Sequence, residues 1–380
     1  MQAKRARLAA LAAAQSPAAT GSGDEGLEIA GLSVYPLREP VSRRGYTVVK
    51  LATKGGLTGF GECASVKPHE LAAARNVVIG RPASNYEGLR HGLRTLPGLE
   101  AAVGMAALDV LGKLSKAPVY QVLGGPTRNK ARALCRLHGE SDKELVSSLA
   151  KAREAGFRAF AVPAPAPTAR NHGRAFVDAV RRRMDALRAA GGENSDFVLD
   201  ASGALTPGDA AVAAAALERF HLLWFDEPCR VANLAAVRKI SEECVTPVGF
   251  GRNIDDASLF QDLLREQAID VLRPDIGRAS IGRIRRLAAL AETYYVAVAP
   301  YHDGGPVASA AALHLAASLP NFFIQQIPFP AAEEDRRMRA ELTGQPVENI
   351  REGYADLVTG PGLGIAVNEA ALERYRERGA

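Results

Sequence analysis

From Asn129 onward the chain alternates between short apolar runs and helix-forming stretches, at the interval of roughly 25 residues that one strand-helix unit needs. No other feature restricts the fold as tightly. The pattern predicts strands over 131–138, 158–164, 197–201, 222–225, 248–251, 271–274, 295–300 and 322–326, with helices over 142–155, 173–190, 209–220, 234–244, 257–267, 281–293 and 308–318 between them. Nearly continuous apolar runs are what parallel strands covered on both faces look like. Eight such strands, each feeding a helix, close most naturally into a barrel, and the side chains at their C-terminal ends converge on one mouth, where an active site sits.

The first part of the chain has a different rhythm. Residues 27–63 alternate as antiparallel strands at 29–37, 46–53 and 57–62, with Lys54-Gly55-Gly56 as a hairpin turn. A helical pattern follows over 71–114, broken at Leu96-Pro97-Gly98, and Pro118 and Leu123-Gly124-Gly125-Pro126 close the block. Strands followed by helices make a separate α+β unit. The expected organisation is a disordered leader and linker over 1–26, the α+β unit over 27–129, the barrel over 130–330 and a C-terminal segment over 331–380. In that last segment Ile365-Ala366-Val367 reads as a late strand able to return to the N-terminal sheet.

Composition removes several classes of function. With 47% hydrophobic and 23% charged residues the chain is globular rather than disordered. The net charge of +5 comes from scattered basic residues, and the densest clusters, such as Arg181-Arg182-Arg183, lie in helical patterns without interleaved aromatics, so no nucleic-acid partner is expected. Cys63, Cys135, Cys229 and Cys244 form no CxxC pair, which argues against a zinc site or a disulfide framework and for reduced thiols in a cytoplasmic protein. The basic start (Lys4, Arg5, Arg7) and the Ala/Leu run over 8–14 make a weak signal-peptide pattern, so export stands as the alternative. No run reaches membrane-spanning length.

At the predicted mouth the strand exits are rich in polar groups. They present Asp200 and Ser202, Asp226 and Glu227, Arg252 and Asn253, Asp275, then Tyr301, His302 and Asp303, and finally Gln326. Asp200 and Asp226 are 26 residues apart, and so are Asp226 and Arg252, so three neighbouring strands present equivalent positions to one spot. Hard divalent cations such as Mg²⁺ take a few carboxylate oxygens and keep some waters, but here the third position is an arginine. Taken singly, each of these groups has a bland alternative: Glu227 and Asp303, for example, read equally well as helix caps.

The ordered set of motifs resembles the enolase superfamily, and within it the mandelate racemase/muconate lactonizing enzyme group. It comprises Val49-Lys50-Leu51-Ala52-Thr53 with Gly59-Phe60-Gly61-Glu62, Ala107-Leu108-Asp109-Val110 running to Leu123-Gly124-Gly125, Leu199-Asp200-Ala201-Ser202-Gly203, Phe225-Asp226-Glu227-Pro228, Arg273-Pro274-Asp275 and Pro361-Gly362-Leu363-Gly364. The resemblance implies an N-terminal α+β capping domain, completed by the C-terminal tail, on a modified (β/α)7β TIM barrel. It also implies Mg²⁺ held by acids at the ends of strands three, four and five, proton abstraction next to a substrate carboxylate, and a symmetric homo-oligomer.

Carried over residue by residue, the resemblance makes Asp200 and Asp226 metal ligands, the second where the family usually has Glu. Arg252 falls on the third ligand, and a guanidinium cannot ligate a cation. The base-bearing motif of strand two is replaced by Phe160-Ala161-Val162-Pro163, which has no titratable side chain. Asp275 matches the residue that orients a strand-seven histidine, yet aligning the prolines puts Tyr301 on the histidine position and His302 one residue later. Gln326 stands where a Glu often acts as electrophile, and it donates a hydrogen bond without transferring a proton. Two readings follow. In one, the chain is an acid-sugar dehydratase or epimerase with Asp275 and His302 as an acid–base dyad, Tyr301 and Gln326 assisting, and Mg²⁺ on Asp200 and Asp226. In the other, Arg252 lies between the two aspartates, replaces the Mg²⁺ and anchors a small carboxylate or fills the hole, giving a metal-independent enzyme or a binding protein. Neither needs an organic cofactor.

Overall fold

The computed structural model describes residues 25–166, 173–231, 233–254 and 256–377, and the expected leader over 1–26 lies outside them except for Glu25 and Gly26. Strands β1 (Ile29–Arg38), β2 (Gly45–Thr53) and β3 (Thr58–Cys63) form an antiparallel sheet in that order. The predicted turn between β2 and β3 is closed by Thr53, whose amide and hydroxyl both donate to the Leu57 carbonyl, at 2.9 and 3.1 Å. Helices Pro68–Val78, Tyr86–Gly92 and Pro97–Leu114 follow. The third of these is buried on nearly every face, because the sheet covers one side and the barrel the other. It lies so close to β3 that a Cβ on Gly61 would stand 1.9 Å from the Ala102 carbonyl oxygen, and one on Gly59 2.0 Å from that of Ala106. Glycine is required there by the approach of two backbones.

The eight expected strands are present as β4 (Lys130–Arg136), β5 (Ala159–Pro163), β6 (Asp196–Asp200), β7 (Trp224–Asp226), β8 (Val248–Phe250), β9 (Val271–Leu272), β10 (Ala297–Val298) and β11 (Gln325–Gln326). Each pairs in parallel with the next from β4 to β10, and β11 pairs with β4. A parallel bridge between Val298 and Phe322, with the Phe323 amide donating to the Val298 carbonyl at 2.8 Å, joins β10 to the β11 segment and closes the ring. Seven helices alternate with these strands among the described residues, at the predicted places. The lower interior is packed by Leu134, Ala159, Ala161, Val198, Trp224, Val271, Ala299 and Ile324. The alternation that points these side chains inward also brings Arg136, Asp200, Asp226 and Arg273 inward, two residues further along their strands.

The C-terminal tail differs from the expected path. Residues 365–367 form no strand. Instead β12 (Ile350–Arg351) and β13 (Tyr354–Asp356) make a hairpin whose second strand adds antiparallel to β4. Beyond it Gly362 bridges Pro118, the Leu363 amide donates to Asp109 Oδ1 at 2.8 Å, and Arg376 bridges Leu37. Asp109 also accepts from the Phe60 amide and Lys113 Nζ, so one buried carboxylate ties sheet, helix and tail together. The capping domain is thus completed by the tail through single bridges rather than a strand.

Besides the contacts of Glu100 with Ser280 and of Tyr86 with Gly282, the cap is fastened to the barrel at the exit of β10. Glu62, at the end of β3, accepts from the amides of Gly305, Val307 and Ala308 at 2.5, 3.2 and 3.3 Å, at the positive end of helix Pro306–Ser318. Arg339 joins Glu39 and Glu348, at 2.5 and 2.6 Å, and reaches the Gly304 carbonyl at 3.0 Å. Among the described residues no helix is long and apolar enough to cross a membrane. Because Ala102 lies in a fully packed helix, Gly61→Ala is expected to destabilise the protein by about 1–3 kcal/mol, measured as a lowered urea midpoint at unchanged slope.

Candidate active site

The residues expected at the mouth do converge, in an arrangement governed by two arginines. Arg252, just past β8, forks onto Asp200: Nη1 donates to Oδ2 at 2.9 Å and Nη2 to Oδ1 at 2.5 Å. Ser202 adds its amide and hydroxyl to the same Oδ1, at 2.8 and 3.0 Å. One layer deeper Arg273 binds Asp226, with Nε donating to Oδ1 at 3.0 Å and Nη2 to Oδ2 at 3.3 Å. Trp224 Nε1 donates to Asp226 Oδ1 at 2.9 Å, and Gly249 leaves the indole its room, since a Cβ there would stand 2.5 Å from Cδ1 of that ring. Arg273 is completed by the Ala299 carbonyl and by Gln326 Oε1, both at 2.7 Å. Arg252, Asp200, Arg273, Asp226, Trp224 and Gln326 are all buried, and Ser202 is exposed.

Burial alone would raise the Asp200 carboxyl. The Arg252 guanidinium, in contact and hydrogen-bonded, outweighs it and holds Asp200 below the usual carboxylate range. Arg252 is raised in turn by Asp226 and Asp200 against the cost of its own burial. Arg252 stands in ion-pair range of both aspartates: it is hydrogen-bonded to Asp200 alone, while its Nε, buried and without a hydrogen-bond partner, lies 3.7 Å from Asp226 Oδ2. Asp226 is satisfied by Arg273, a residue the sequence reading passed over. The signal was available: Arg273 follows Val271 at the inward-facing period of two, and a guanidinium pointing into a barrel must find an anion there.

Glu227 also has a role other than the helix cap proposed for it. The next helix begins only at Leu234, and Glu227 Oε1 instead accepts from the amides of Gly251 and Arg252 at 2.7 and 2.8 Å. Its backbone sits in the left-handed region at φ 45°, which turns the carboxylate back across β8. Burial, with Asp226 nearby, raises its carboxyl.

Among the described residues no hydrogen bond joins Asp275 to His302. Tyr301 bridges Asp275 in the sheet and turns inward, its ring 5.0 Å from the Arg252 guanidinium and 5.8 Å from that of Arg273. His302, the next residue, points the other way. Its Nε2 faces the Gly305 carbonyl at 3.0 Å and Ser309 Oγ at 3.2 Å, while Nδ1 accepts from the Gly304 amide. Burial pushes this imidazole down to about 4, so it is neutral and structural in position. Asp275 keeps one oxygen on the Gly277 amide at 2.8 Å, and burial pushes its carboxyl up to about 6. The Tyr301 hydroxyl is pushed up to about 12 by burial.

Residues 144–371 match the family model for the enolase C-terminal domain-like fold, and residues 36–124 match the mandelate racemase / muconate lactonizing enzyme N-terminal domain. The chain belongs to the mandelate racemase/muconate lactonizing enzyme group of the enolase superfamily. A D-galactonate dehydratase family member of Streptomyces bingchenggensis is 30% identical over 381 residues, covering 87% of this chain and 90% of that protein. A D-mannonate dehydratase of Xanthomonas oryzae pv. oryzicola is 29% identical, covering 87% and 88%. The crystal structure of a mandelate racemase/muconate lactonizing enzyme-like protein from Roseovarius sp. superposes with a TM-score of 0.83 at 27% identity, covering 93% of this chain and 96% of that one.

The family's Mg²⁺ does not fit this member's mouth. Both oxygens of Asp200 and both of Asp226 already receive guanidinium donors, and the third ligand position is itself a permanent cation. Among the described residues no three carboxylate, imidazole or thiol groups converge as a metal site. A Mg²⁺ ion would have to displace two arginines to gain two ligands. Since truncating one partner of a buried ion pair strands the other charge, Arg252→Met is expected to destabilise the protein by about 3–5 kcal/mol, with part of the loss recovered in the Asp200→Asn, Arg252→Met double variant. Chemical denaturation of the four species of that cycle measures it.

Proposed function

We propose that this mandelate racemase-group protein binds a small polyhydroxylated carboxylate, an acid sugar, at the barrel mouth, and that it does so without the family's Mg²⁺-dependent proton abstraction. The observation that carries the reading is the pair of buried guanidinium–aspartate clasps, Arg252 on Asp200 and Arg273 on Asp226, at the points where a cation would sit. The ligand class is supported by relatives named D-galactonate and D-mannonate dehydratases. Two further groups are unavailable to the usual chemistry: strand two ends in Pro163 where a base would stand, and His302 is turned away from Asp275. Calorimetric titration with Mg²⁺ is expected to give no binding heat for the unmutated protein. Arg252→Glu binds Mg²⁺ weakly, because Arg273 still holds Asp226, and adding Arg273→Gln strengthens it. Stoichiometric Mg²⁺ binding by the unmutated chain would falsify the reading.

A second reading, a dehydratase or epimerase that works without a metal, is favoured by Asp275 alone. A carboxylate with one oxygen that makes no hydrogen bond among the described residues and a pKa near 6 is suited to take a proton at neutral pH. A base works only when ionised, so exchange of the proton next to the carboxylate with deuterated solvent would rise as the pH passes about 6, level off above it, and vanish in Asp275→Asn. We expect no exchange with D-galactonate or D-mannonate at any pH, while these ligands raise the melting temperature. Exchange with that pH profile selects the enzymatic reading instead.

A further inference from the structure

Resting on the acid-sugar reading above, we infer that the carboxylate of the ligand is held by Arg136, and that its hydroxylated chain runs past His138 beneath the capping loop toward Ser42 and Asp303. Arg252 is the obvious carboxylate anchor by sequence position, but both its terminal nitrogens are engaged by Asp200, and its Nε is buried. Arg273 is saturated by Asp226, Ala299 and Gln326. Arg44 pairs with Asp303 at 3.0 Å, and Arg183 with Asp142 and the Pro163 carbonyl, both at 2.7 Å. Arg136 differs from all of these. It ends β4 two residues past the inward-facing Leu134, its side chain is 29% exposed, and its nearest anion is Asp200 Oδ2 at 3.9 Å, beyond hydrogen-bond reach. Among the described residues its guanidinium makes no hydrogen bond, so the planar fork is left to receive a carboxylate.

The space around it suits such a ligand. A cavity of about 320 Å³ is lined by Arg136, His138, Pro163, Ala164, Arg183 and Glu140. Arg183 is engaged by Asp142, so Arg136 supplies the charge that receives an anion there, and Pro163 with Ala164 offers an apolar wall to the carbon face of a sugar chain. A second cavity of about 690 Å³ shares His138 and is lined by Ser42, Arg44, Asp303 and Phe329. His138 therefore stands where the two meet, exposed, with no hydrogen bond on its ring among the described residues. Asp303 has given one oxygen to Arg44, which leaves the other to accept from hydroxyls, and the Ser42 hydroxyl, whose proton goes to Glu39 at 2.5 Å, adds an acceptor from the cap. Together the cavities are of the size that holds a small organic ligand.

The test is calorimetric titration of the full chain with D-galactonate and D-mannonate. Arg136→Gln is expected to weaken binding roughly ten- to hundredfold, the loss of a charge-assisted hydrogen-bonded anchor. Arg136→Lys, which keeps the charge without the fork, should lose less, and His138→Ala should weaken binding while the ligand-free melting temperature of each variant stays near that of the unmutated protein. If the unmutated chain binds and Arg136→Gln and Arg136→Lys bind equally well, the carboxylate lies elsewhere and the assignment is overturned while the acid-sugar reading stands. If the unmutated chain binds neither acid sugar, both fall.

Discussion

Two aspartates inside a barrel cannot remain charged without cations, and in this protein the cations come from the chain itself. Taking a carboxylate out of water costs several kcal/mol even after relaxation, and the penalty is met only where geometry is good and the remaining lone pairs are filled. Asp200 and Asp226 meet both conditions. One has a forked arginine with a serine hydroxyl and amide, and the other has an arginine, an indole N–H and, through that arginine, a glutamine. The chemistry available at the mouth follows from this. Charges locked in mutual pairs are not free to polarise a substrate, and a planar guanidinium cannot offer the open coordination positions through which a metal acts.

The substitutions support one another. Without Arg273 both oxygens of Asp226 would lack a guanidinium hydrogen bond, since Arg252 Nε stands 3.7 Å away, and without Arg252 Asp200 would lose its fork. Asp at 226, one methylene shorter than Glu, keeps its oxygens at the depth of Arg273 Nε and Trp224 Nε1. Tyr301 then covers both guanidiniums with an aromatic face and closes the layer from above. The whole is a built network rather than a metal site with one ligand missing, and a single reversal at position 252 leaves half of it in place.

The barrel was legible because period and interval report burial directly. A strand covered on both faces has to be apolar, and eight such strands at one interval leave few topologies. Asp200, Asp226 and Arg252 were placed together by the same arithmetic. The partner of Asp226 was not, because attention to strand exits overlooks residues one layer below the rim, where Arg273 lies. His302 illustrates a different limit: its neighbour Tyr301 and it face opposite sides of β10's end, and only the backbone decides which faces the mouth. The path of the tail was misread at residues 365–367 because an apolar triplet following glycine-rich turns fits a strand or a packed loop equally well, and single bridges at Gly362 and Arg376 leave no periodic signal.

The capping domain meets the barrel at the same strand exit that carries Tyr301, which ties the cap's position to the state of the mouth. Glu62 grips the backbone of 305–308, Arg339 clasps Glu39 from the cap and the Gly304 carbonyl from the barrel, and Arg44 reaches Asp303. The first two contacts are buried and fix the loop as a unit. The third is not, since Asp303 is 27% exposed and Arg44 belongs to the loop over 39–44 that roofs the larger cavity. A ligand entering between that loop and the exit of β4 would therefore compete for Asp303 without disturbing Glu62 or Arg339. The rigid part of the joint holds Tyr301 over the arginines, and the partly exposed ion pair beside it is the element free to yield to a hydroxyl.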